Sequence, residues 1–329
     1  MTKILVVGGA GYVGGAFTES LTKNVNFKFS VYDDLLYEDR YLKDVDFIRG
    51  DIRDTDRLLV LAREYDVVVW LAALVGDPLC ALNESLTWEI NTHSLIRFAK
   101  SFQGKIVFMS TCSVYGAQDG LLNEESETNP LSLYAITKLA SEEALLALKP
   151  DSLIFRLGTL FGISDEFARL RADLVLNVLV MRAVFAKELT VFGGEQFRPL
   201  LHVKDVGDAI IRGLLQQSVG VYNLHVENVS IIQLARRISE LDSDIKMEIS
   251  EQTFQDARNY SVSSEKAKRE FNFQPNFDVD FGIHEVYSAL STGRFPRILD
   301  ETYSNVDKMR TQFIPVQNSI VREYFKARN

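Results

Sequence analysis

Short, mainly apolar runs alternate with segments of helical spacing through the first half of the chain. Such runs, bounded by glycine or polar residues, are typical of buried parallel strands. Strands are predicted at residues 4–7, 27–32, 45–52, 66–73, 105–110 and 152–157. Helices are predicted between them, after Gly11, at 53–65, at 84–102 and from about residue 131. Because strand and helix alternate, the pattern predicts an α/β fold with a Rossmann-type, doubly wound parallel sheet and right-handed crossovers.

A glycine cluster separates the first predicted strand from the first helix. Gly8, Gly11 and Gly14 fit the spacing G-x-x-G-x-x-G, and Gly9 with the last two fits G-x-G-x-x-G. These glycines permit a tight turn and a close approach of the backbone to a pyrophosphate, which then lies at the helix N-terminus. Because a strand precedes the cluster and a helix follows it, we predict a nucleotide site here rather than a plain turn.

Acidic or small residues follow the next three predicted strands. Asp33 ends the second strand, where a carboxylate can accept both hydroxyls of an adenosine ribose and repel a 2′-phosphate. This position favours NAD over NADP, although Asp33 could also merely cap a loop. The pair Asp51-Ile52 could hold the edge and cover the face of an adenine. The pair Ala72-Ala73 would let a cofactor lie close to the fourth strand.

The predicted fifth strand ends in polar residues, and a Tyr-x-x-x-Lys spacing follows. Tyr134 and Lys138 are four residues apart and therefore share one helix face. A nearby ammonium and the positive nicotinamide of NAD⁺ would both favour the phenolate form of Tyr134, which would then serve as a general base. Thr111 could hydrogen-bond a substrate hydroxyl. Such a pair alone also occurs on solvated helices. The upstream glycine turn and the polar end of the fifth strand are what favour a catalytic role for it.

Composition narrows the class of partner. The 329 residues carry a net charge of −9, and 47% of them are hydrophobic. An acidic chain disfavours nucleic acid and anionic membrane as partners. Two cysteines make neither a disulfide framework nor a zinc site, and no cluster has metal-ligand spacing. We expect a cytoplasmic protein, since the N-terminus lacks signal-peptide features and no apolar run could span a bilayer.

Together these motifs resemble the extended short-chain dehydrogenase/reductase family, in its group of NAD-dependent nucleotide-sugar epimerases and dehydratases. The resemblance runs from about residue 2 to 293 and includes a substrate-domain segment at 197–206. It implies that Tyr134 takes the sugar hydroxyl proton, Lys138 holds the cofactor ribose and lowers the tyrosine pKa, and Thr111 binds the hydroxyl. The NAD contacts it implies are Gly8, Gly11, Tyr12, Val13, Gly14, Asp33, Asp34, Asp51, Ile52, Leu71, Ala72, Ala73, Asn91, Tyr134 and Lys138.

The chain departs from the family pattern at informative positions. Family dehydratases carry an acid pair directly after the catalytic threonine, whereas Cys112 and Ser113 stand here, which argues against a 4,6-dehydratase. Cys112 could also be simply a small buried residue. Thr159 replaces a family asparagine that binds the sugar diphosphate, and Asn177 could take over that contact. The substrate contacts expected from the resemblance are Cys112, Ser113, Thr159, Asn177, Arg198 and Arg258.

Three other polar residues of the second half, Arg169, Arg171 and His202, could have no role in binding or catalysis. Arg169 and Arg171 precede Asn177 on a predicted helix and could help to bind the diphosphate, but exposed arginines on an acidic protein are usually only solvated. His202 lies in an apolar strand, where a packed, hydrogen-bonded histidine is expected rather than a catalytic one.

The expected activity is an NAD-dependent oxidation at a ring carbon of a nucleotide-diphosphate sugar, most simply at C4. Epimerisation leads, and a net C4 dehydrogenase or a 4-keto-sugar reductase is the alternative, because the same three residues serve all of them. A non-catalytic NAD sensor on the same fold is the hypothesis from another class.

The resemblance also implies a division of the chain and a homodimer. Residues 1–157 are expected to bind NAD and residues 158–294 mainly the nucleotide sugar, with some segments returning to the Rossmann sheet and the smaller domain being mixed. Residues 295–329 form an extension, with a helix predicted at 316–325. Dimerisation is expected through helices near 84–102 and 131–148, where Leu95, Leu139 and Leu146 could lie at the interface or face their own sheet.

Overall fold

Strands and helices alternate along the first half of the chain, as the hydrophobic pattern predicts. The computed structural model describes residues 1–38, 40–167, 169–250, 258–298, 300 and 303–310, so the helix predicted at 316–325 lies outside them. The strands are β1 (Thr2–Val7), β2 (Phe27–Asp33), β3 (Phe47–Arg49), β4 (Val67–Trp70), β5 (Lys105–Thr111), β6 (Ala117–Leu122), β7 (Leu153–Leu157), β8 (Thr159–Phe161), β9 (Glu188–Phe192), β10 (Phe197–His202), β11 (Gly220–Leu224), β12 (Glu227–Ser230), β13 (Lys246–Ser250) and β14 (Asn259–Val262). The helices are α1 (Tyr12–Thr22), α2 (Thr55–Ala62), α3 (Asp77–Cys80), α4 (Glu84–Trp88), α5 (Ser94–Ala99), α6 (Leu133–Leu148), α7 (Val175–Phe185), α8 (Val203–Leu215), α9 (Ile231–Ser239), α10 (Glu265–Phe271) and α11 (Val279–Ser291).

A seven-stranded sheet forms the centre of the molecule. Its strand order is β11-β7-β5-β4-β1-β2-β3, and every neighbouring pair is parallel. The predicted Rossmann-type, doubly wound sheet is therefore confirmed. The chain order reverses between β1 and β4, and in such sheets ligands bind in the crevice outside the carboxyl ends of these strands.

Alternate residues of β1 serve the two faces of this sheet. Ile4 and Val6 belong to the core shared with α1 and α8, where Phe17 and Ile210 are also fully buried. Leu5 and Val7 belong to the opposite core, which α2, α5 and α6 cover. Successive side chains of a strand point to opposite faces, so a strand covered on both sides is apolar throughout.

The second half of the chain adds a smaller, mixed layer. Three strands follow the order β12-β10-β8, in which β10 is antiparallel to β12 and parallel to β8. Helices α7, α9 and α11 cover a separate apolar core that includes Leu176, Leu234 and Ile283. At the end of β10, the His202 ring is fully buried, with Nε2 3.0 Å from Oε2 of Glu285, so the packed histidine is confirmed.

Three elements differ from the pattern-based predictions. The predicted third strand, 45–52, keeps its ladder only over β3. The predicted helix 84–102 is divided by a π-helical turn, Glu89–His93, between α4 and α5. The segment 117–130, in which the hydrophobic pattern predicts neither strand nor helix, contains β6, which pairs in parallel with β14 and exposes most of its residues. An exposed strand without apolar alternation gives no hydrophobic signal.

Candidate active site

One cavity of about 650 Å³ lies at the carboxyl ends of β1, β4 and β5. It brings together all but four of the predicted site residues; Gly14, Asn91, Cys112 and Asn177 do not line it. The predicted residues that line it are Gly8, Gly11, Tyr12, Val13, Asp33, Asp34, Asp51, Ile52, Leu71, Ala72, Ala73, Thr111, Ser113, Tyr134, Lys138, Thr159, Arg198 and Arg258.

The glycine turn leaves room for a ligand because its close contacts exclude side chains. Gly8 has a φ of +84°, and a Cβ there would lie 2.4 Å from the backbone nitrogen of Ala72. Gly11 precedes α1, and a Cβ on it would meet only the carbonyl oxygen of Gly8, at 3.4 Å, before entering the cavity. No side chain caps α1 and no acidic residue stands in its first turn, so an anion can take that place. The turn therefore fits a dinucleotide pyrophosphate.

Gly14 packs against the glycine turn and does not line the cavity. A Cβ on it would lie 2.4 Å from the carbonyl oxygen of Gly9, so it permits close contact between α1 and the turn. The direct contact of Gly14 with the cofactor stays a prediction.

Asp33 joins the end of β2 to the glycine turn. Its carboxylate accepts hydrogen bonds from the N–H of Ala10 at 3.0 Å and the N–H of Leu35 at 2.8 Å. Burial raises the pKa of Asp33 to about 6, although both hydrogen bonds oppose the change. Burial also raises the pKa of the neighbouring Asp34, and the charge of Asp51 adds to the effect. The cavity thus has a compact acidic edge.

Asp51 follows β3 and already has a partner. The guanidinium of Arg53 donates to its two carboxylate oxygens, with Nε at 2.8 and 3.0 Å. Burial opposes ionisation of Asp51, but the hydrogen bonds from Arg53 outweigh it and hold the pKa below its usual value. Ile52, 9% exposed, lies beside this pair. The carboxylate and the apolar side chain both line the cavity, and their predicted contact with adenine stays a prediction.

Asn91 supports the loop after β4 from behind. Its side-chain Oδ1 accepts from the N–H of Leu74 at 2.8 Å, and Nδ2 donates to the carbonyl oxygen of Leu74 at 3.0 Å. The residue is 1% exposed and lies in the π-helical turn. Its amide is bonded to the backbone and does not line the cavity, so a direct cofactor contact at Asn91 stays a prediction.

Lys138 reaches from α6 to β5. Its Nζ donates to the carbonyl oxygen of Met109 at 2.8 Å and lies 4.7 Å from the centre of the Phe108 ring. Burial lowers the pKa of Lys138 to about 8, while the charge of Glu142 acts in the opposite direction. The ammonium is therefore poised to change its charge at mildly alkaline pH.

Tyr134 lies one turn before Lys138, near the start of α6. Ser132 caps this helix, because its hydroxyl oxygen accepts from the N–H of Ala135 at 3.3 Å. Burial raises the pKa of the Tyr134 phenol, Asp77 adds to the increase, and Arg171 and a hydrogen bond with Thr111 oppose it. The expected lowering of this pKa by neighbouring cations is wrong for the protein alone, because loss of solvent outweighs them.

The residues after β5 alternate between the cavity and the interior. Thr111, 7% exposed, lines the cavity, and its Oγ1 accepts from the N–H of Ser113 at 3.1 Å. Ser113 also lines it, with Oγ 3.2 Å from the hydroxyl of Tyr260. Cys112 is fully buried between them, donates to the carbonyl oxygen of Arg156 at 3.2 Å, and has a pKa raised by burial. Its place in the interior matches the alternative of a small buried residue, and the substrate contact at Cys112 stays a prediction.

The second half contributes a cationic end to the cavity. Arg198 donates through Nη1 to the carbonyl oxygens of Phe197, at 2.8 Å, and Arg258. Nη1 of Arg258 lies 3.3 Å from Oδ2 of Asp77. Thr159 begins β8 at the same wall. These two guanidinium groups and one hydroxyl line a region that could hold a diphosphate.

Asn177 lies under this wall and does not reach the cavity. It is fully buried, its Oδ1 accepts from the N–H of Gly162 at 3.1 Å, and its Nδ2 donates to the carbonyl oxygen of Arg171 at 3.0 Å. Both hydrogen bonds fix the backbone on which the wall depends. The substrate contact at Asn177 stays a prediction.

Arg169 and Arg171, which the sequence offered either as diphosphate contacts or as solvated helix residues, both line the cavity. They stand in a largely buried segment before α7, so they are not solvated helix residues. Arg171 donates to Asp173 at 2.6 Å and lies 5.9 Å from the centre of the Tyr12 ring. The closely spaced charges Arg-x-Arg-x-Asp were the available signal. The lining residues that the sequence analysis missed include Tyr37, Glu38, Asp173, Asn305 and Val306.

The described residues contain neither a membrane-spanning helix nor a group of metal ligands. None of the described helices combines the length and apolar character needed to cross a membrane. Within the same ranges, no three His, Cys, Asp or Glu side chains are grouped so as to hold a metal ion.

Known proteins of similar sequence and structure share this architecture. The chain is 26% identical over 330 residues to an uncharacterized UDP-glucose epimerase, YtcB, of Bacillus subtilis, covering 88% of this chain and 98% of that protein. It is 26% identical over 301 residues to a UDP-glucose 4-epimerase of Corynebacterium glutamicum, covering 83% and 91%. The structure of a UDP-glucose-4-epimerase of Stenotrophomonas maltophila with bound NAD superposes with a TM-score of 0.80 at 21% identity, covering 89% and 99%.

A family model gives the decisive match. The model of the NAD dependent epimerase/dehydratase family matches residues 4–224, about two thirds of the chain. This range contains the glycine turn, Asp33, Thr111, Tyr134 and Lys138. The predicted family and the predicted NAD cofactor are confirmed. The chain is thus a member of the NAD dependent epimerase/dehydratase family.

Proposed function

We propose that this enzyme is an NAD-dependent nucleotide-sugar 4-epimerase. The observation that carries the proposal is that Thr111, Tyr134 and Lys138 line the same cavity as the glycine turn. Two of the relatives bear the names UDP-glucose epimerase and UDP-glucose 4-epimerase, which supports a nucleotide-diphosphate sugar as substrate and C4 as the reacting carbon.

The side chains divide the proton chemistry among themselves. Tyr134 takes the proton of the C4 hydroxyl and later returns it, while Thr111 hydrogen-bonds the same oxygen. NAD⁺, held by the glycine turn and Lys138, would supply the acceptor and donor of the C4 hydride and a positive ring that favours the phenolate. Lys138 is held by the carbonyl of Met109 on the face of α6 that bears Tyr134, where its ammonium can bind the cofactor ribose.

The diphosphate is assigned to the cationic end of the cavity. Arg198 and Arg258 offer guanidinium groups, which match phosphate oxygens well. Thr159 adds a hydroxyl. In this proposal residues 1–157 hold NAD and residues 158–294 hold mainly the nucleotide sugar, with β11 returning to the Rossmann sheet.

Dehydration is disfavoured by the residues after Thr111. Elimination of water needs a carboxylic acid near the sugar, and the two positions carry a buried thiol, Cys112, and a hydroxyl, Ser113. A net C4 dehydrogenase and a 4-keto-sugar reductase use the same three residues and remain the alternative reactions. An NAD-binding sensor would not need Thr111, Tyr134 and Lys138 in one cavity.

We further propose a cytoplasmic homodimer. Exposed apolar residues at α6 and just before it support a contact surface there: Leu131 is 49%, Ile136 40% and Leu148 39% exposed. Leu95 is 1% exposed and packs in its own core, so it is not part of such a surface. Sedimentation of an Ile136→Glu variant tests the dimer, with Leu121→Glu as control, since Leu121 is an exposed apolar residue (66%) outside these helices.

The reaction itself is tested with purified protein. The protein is unfolded and the released nucleotide identified, and folded protein is then incubated with a panel of UDP- and dTDP-sugars. Inversion at C4 without net change in NADH absorbance is the expected result. Net NADH production would assign the dehydrogenase reaction instead, and absence of any NAD(H) binding would overturn the proposal.

A further inference from the structure

Residues 303–310, called here the C-terminal strap, form part of the cavity wall although they lie outside the range of the family match. Asn305 and Val306 line the cavity. Asn305 is 1% and Lys308 4% exposed, so two polar residues of an eight-residue segment are buried against the body of the protein. Buried polar groups of this kind are costly unless they are hydrogen-bonded, and both are bonded to cavity rims.

The first rim follows the cofactor-side strand β2. Nζ of Lys308 donates to the carbonyl oxygen of Tyr37 at 2.7 Å, four residues after Asp33. Met309 is 4% exposed, and Leu36 and Tyr37 pack against the apolar cluster to which it belongs. The strap therefore fastens the loop that follows the predicted ribose-binding carboxylate.

The second rim is the segment before α7. The N–H of Asn305 donates to Oδ2 of Asp173 at 3.2 Å, and its Oδ1 accepts from Arg169. The carbonyl oxygen of Tyr303 accepts from the N–H of Ala172 at 3.0 Å. Arg169, a residue of this second rim, also contacts the first rim directly, since its guanidinium lies 5.3 Å from the centre of the Tyr37 ring.

The strap also reaches the catalytic end of the cavity. Val306 and Tyr134 both pack against the cluster formed by Leu74, Met309 and their neighbours. One short segment therefore contacts the wall near Tyr134, the loop after β2 and the loop before α7. All three places contribute residues to the cavity that the glycine turn and Tyr134 also line.

We propose that the C-terminal strap retains NAD(H) in the cavity, so that one coenzyme molecule serves many turnovers. The inference rests on the proposed function. Release of the coenzyme requires the two rims to part, which breaks the hydrogen bonds of Asn305 and Lys308 and exposes Met309. A retained coenzyme returns its hydride to the sugar, which suits epimerisation and opposes a net dehydrogenase that must exchange NADH.

The test measures NADH release from four proteins. Wild type, Asn305→Ala, Lys308→Ala and Arg310→Gln are loaded with NADH, desalted, and chased with excess NAD⁺ while NADH fluorescence is followed. Arg310 is the matched control, since it is an exposed residue of the same strap, paired with Asp307 at 3.6 Å. Loss of one buried hydrogen bond should accelerate release by about tenfold in the first two variants, while the control releases NADH at the wild-type rate.

The outcomes separate this inference from the proposed function. Equal release rates in all four proteins would overturn the strap's role and leave the epimerase proposal intact. A wild-type protein that binds no NADH would overturn both.

Hydrogen–deuterium exchange on wild-type protein gives a readout that does not depend on variants that fold. Bound NADH should slow exchange in residues 303–310 as it does in residues 33–38. Unchanged exchange in the strap would contradict the inference.

Discussion

Glu142 and Arg156 form a buried ion pair next to the residues proposed to be catalytic. Oε2 of Glu142 lies 2.7 Å from Nη2 of Arg156, and the two residues are 1% and 6% exposed. Glu142 also accepts from the hydroxyl of Ser110, the neighbour of Thr111, and Arg156 donates to the hydroxyl of Tyr115 at 2.9 Å. The pair thus ties α6, which carries Tyr134 and Lys138, to the strands β5 and β7.

Removal of one partner of this pair should destabilise the protein strongly. We expect Glu142→Gln to lower the free energy of unfolding by about 3–5 kcal/mol, because it leaves the Arg156 charge buried without a counter-charge. Urea denaturation measures the change. The control is Glu19→Gln, which breaks the exposed pair with Lys23 and should cost less than about 1 kcal/mol. A similar small loss in both variants would contradict the structural role of the pair.

Tyr134→Phe should abolish turnover without loss of the cofactor. Loss of a general acid–base group reduces the rate by about 10²–10⁴-fold, whereas the phenyl ring preserves the packing of Tyr134 against Leu74 and Met309. Turnover with a UDP-sugar and NADH titration by fluorescence give the two measurements. Undiminished turnover would exclude Tyr134 as the base, and the sensor hypothesis would gain if the wild type bound NAD but converted no sugar.

NADH affinity should depend on the ionisation of Asp33. Its pKa in the protein is about 6, raised above its ordinary value, so the carboxyl is protonated below that pH. Only the ionised form accepts both ribose hydroxyls, so affinity should fall by about tenfold per pH unit below the pKa and level off above it.

The same shift makes a second, opposite prediction for the free protein. Because the folded state binds the Asp33 proton more tightly than the unfolded chain, this group's contribution to stability falls as the pH rises from about 4 to 6.

The variant Asp33→Asn is the control for the pH dependence of binding. It should bind NADH weakly at every pH, without the change in affinity near pH 6. A change of equal size in that variant would assign the titration to another group.

Gly8→Ala should prevent cofactor binding through a backbone clash. The added Cβ would lie 2.4 Å from the nitrogen of Ala72, so the turn and the loop after β4 must move apart. Gly120→Ala is the matched control, since Gly120 also has a positive φ, +88°, but no atom within 4 Å of the Cβ. Both variants bear the conformational strain, of about 1 kcal/mol, and only the first should lose NADH binding in calorimetry.

The sequence predicted the cavity best where a residue type needed for binding stands at the end of a predicted strand. Gly8, Asp33 and the pair Tyr134-Lys138 stand at fixed places relative to predicted strand ends, so the sheet topology alone brings them to one cavity. The seven-stranded sheet was predictable for the same reason, except for its edge strand β11, which comes from the second half of the chain.

Residue type alone does not show whether a buried amide or thiol contacts a ligand or hydrogen-bonds to the backbone. Asn91 and Asn177 have the chemistry of ligand contacts, but their hydrogen bonds hold Leu74, Gly162 and Arg171 in place. Their direction depends on a π-helical turn and on the start of α7, which hydrophobic spacing does not reveal. The strap was unpredictable because its contacts with Tyr37 and Asp173 join positions more than a hundred residues apart.

The edge strand β11 has a consequence for how the chain can be divided and synthesised. Residues Gly220–Leu224 pair with β7 along its whole length. A fragment that stops at residue 157 would therefore leave this edge of β7 unpaired, with the apolar residues Leu153, Ile154 and Phe155 in it. Such an apolar edge is a template for association with other chains. On the ribosome this edge stays unpaired until residue 224 has emerged, so the order of the strands leaves β7 open to association during that interval.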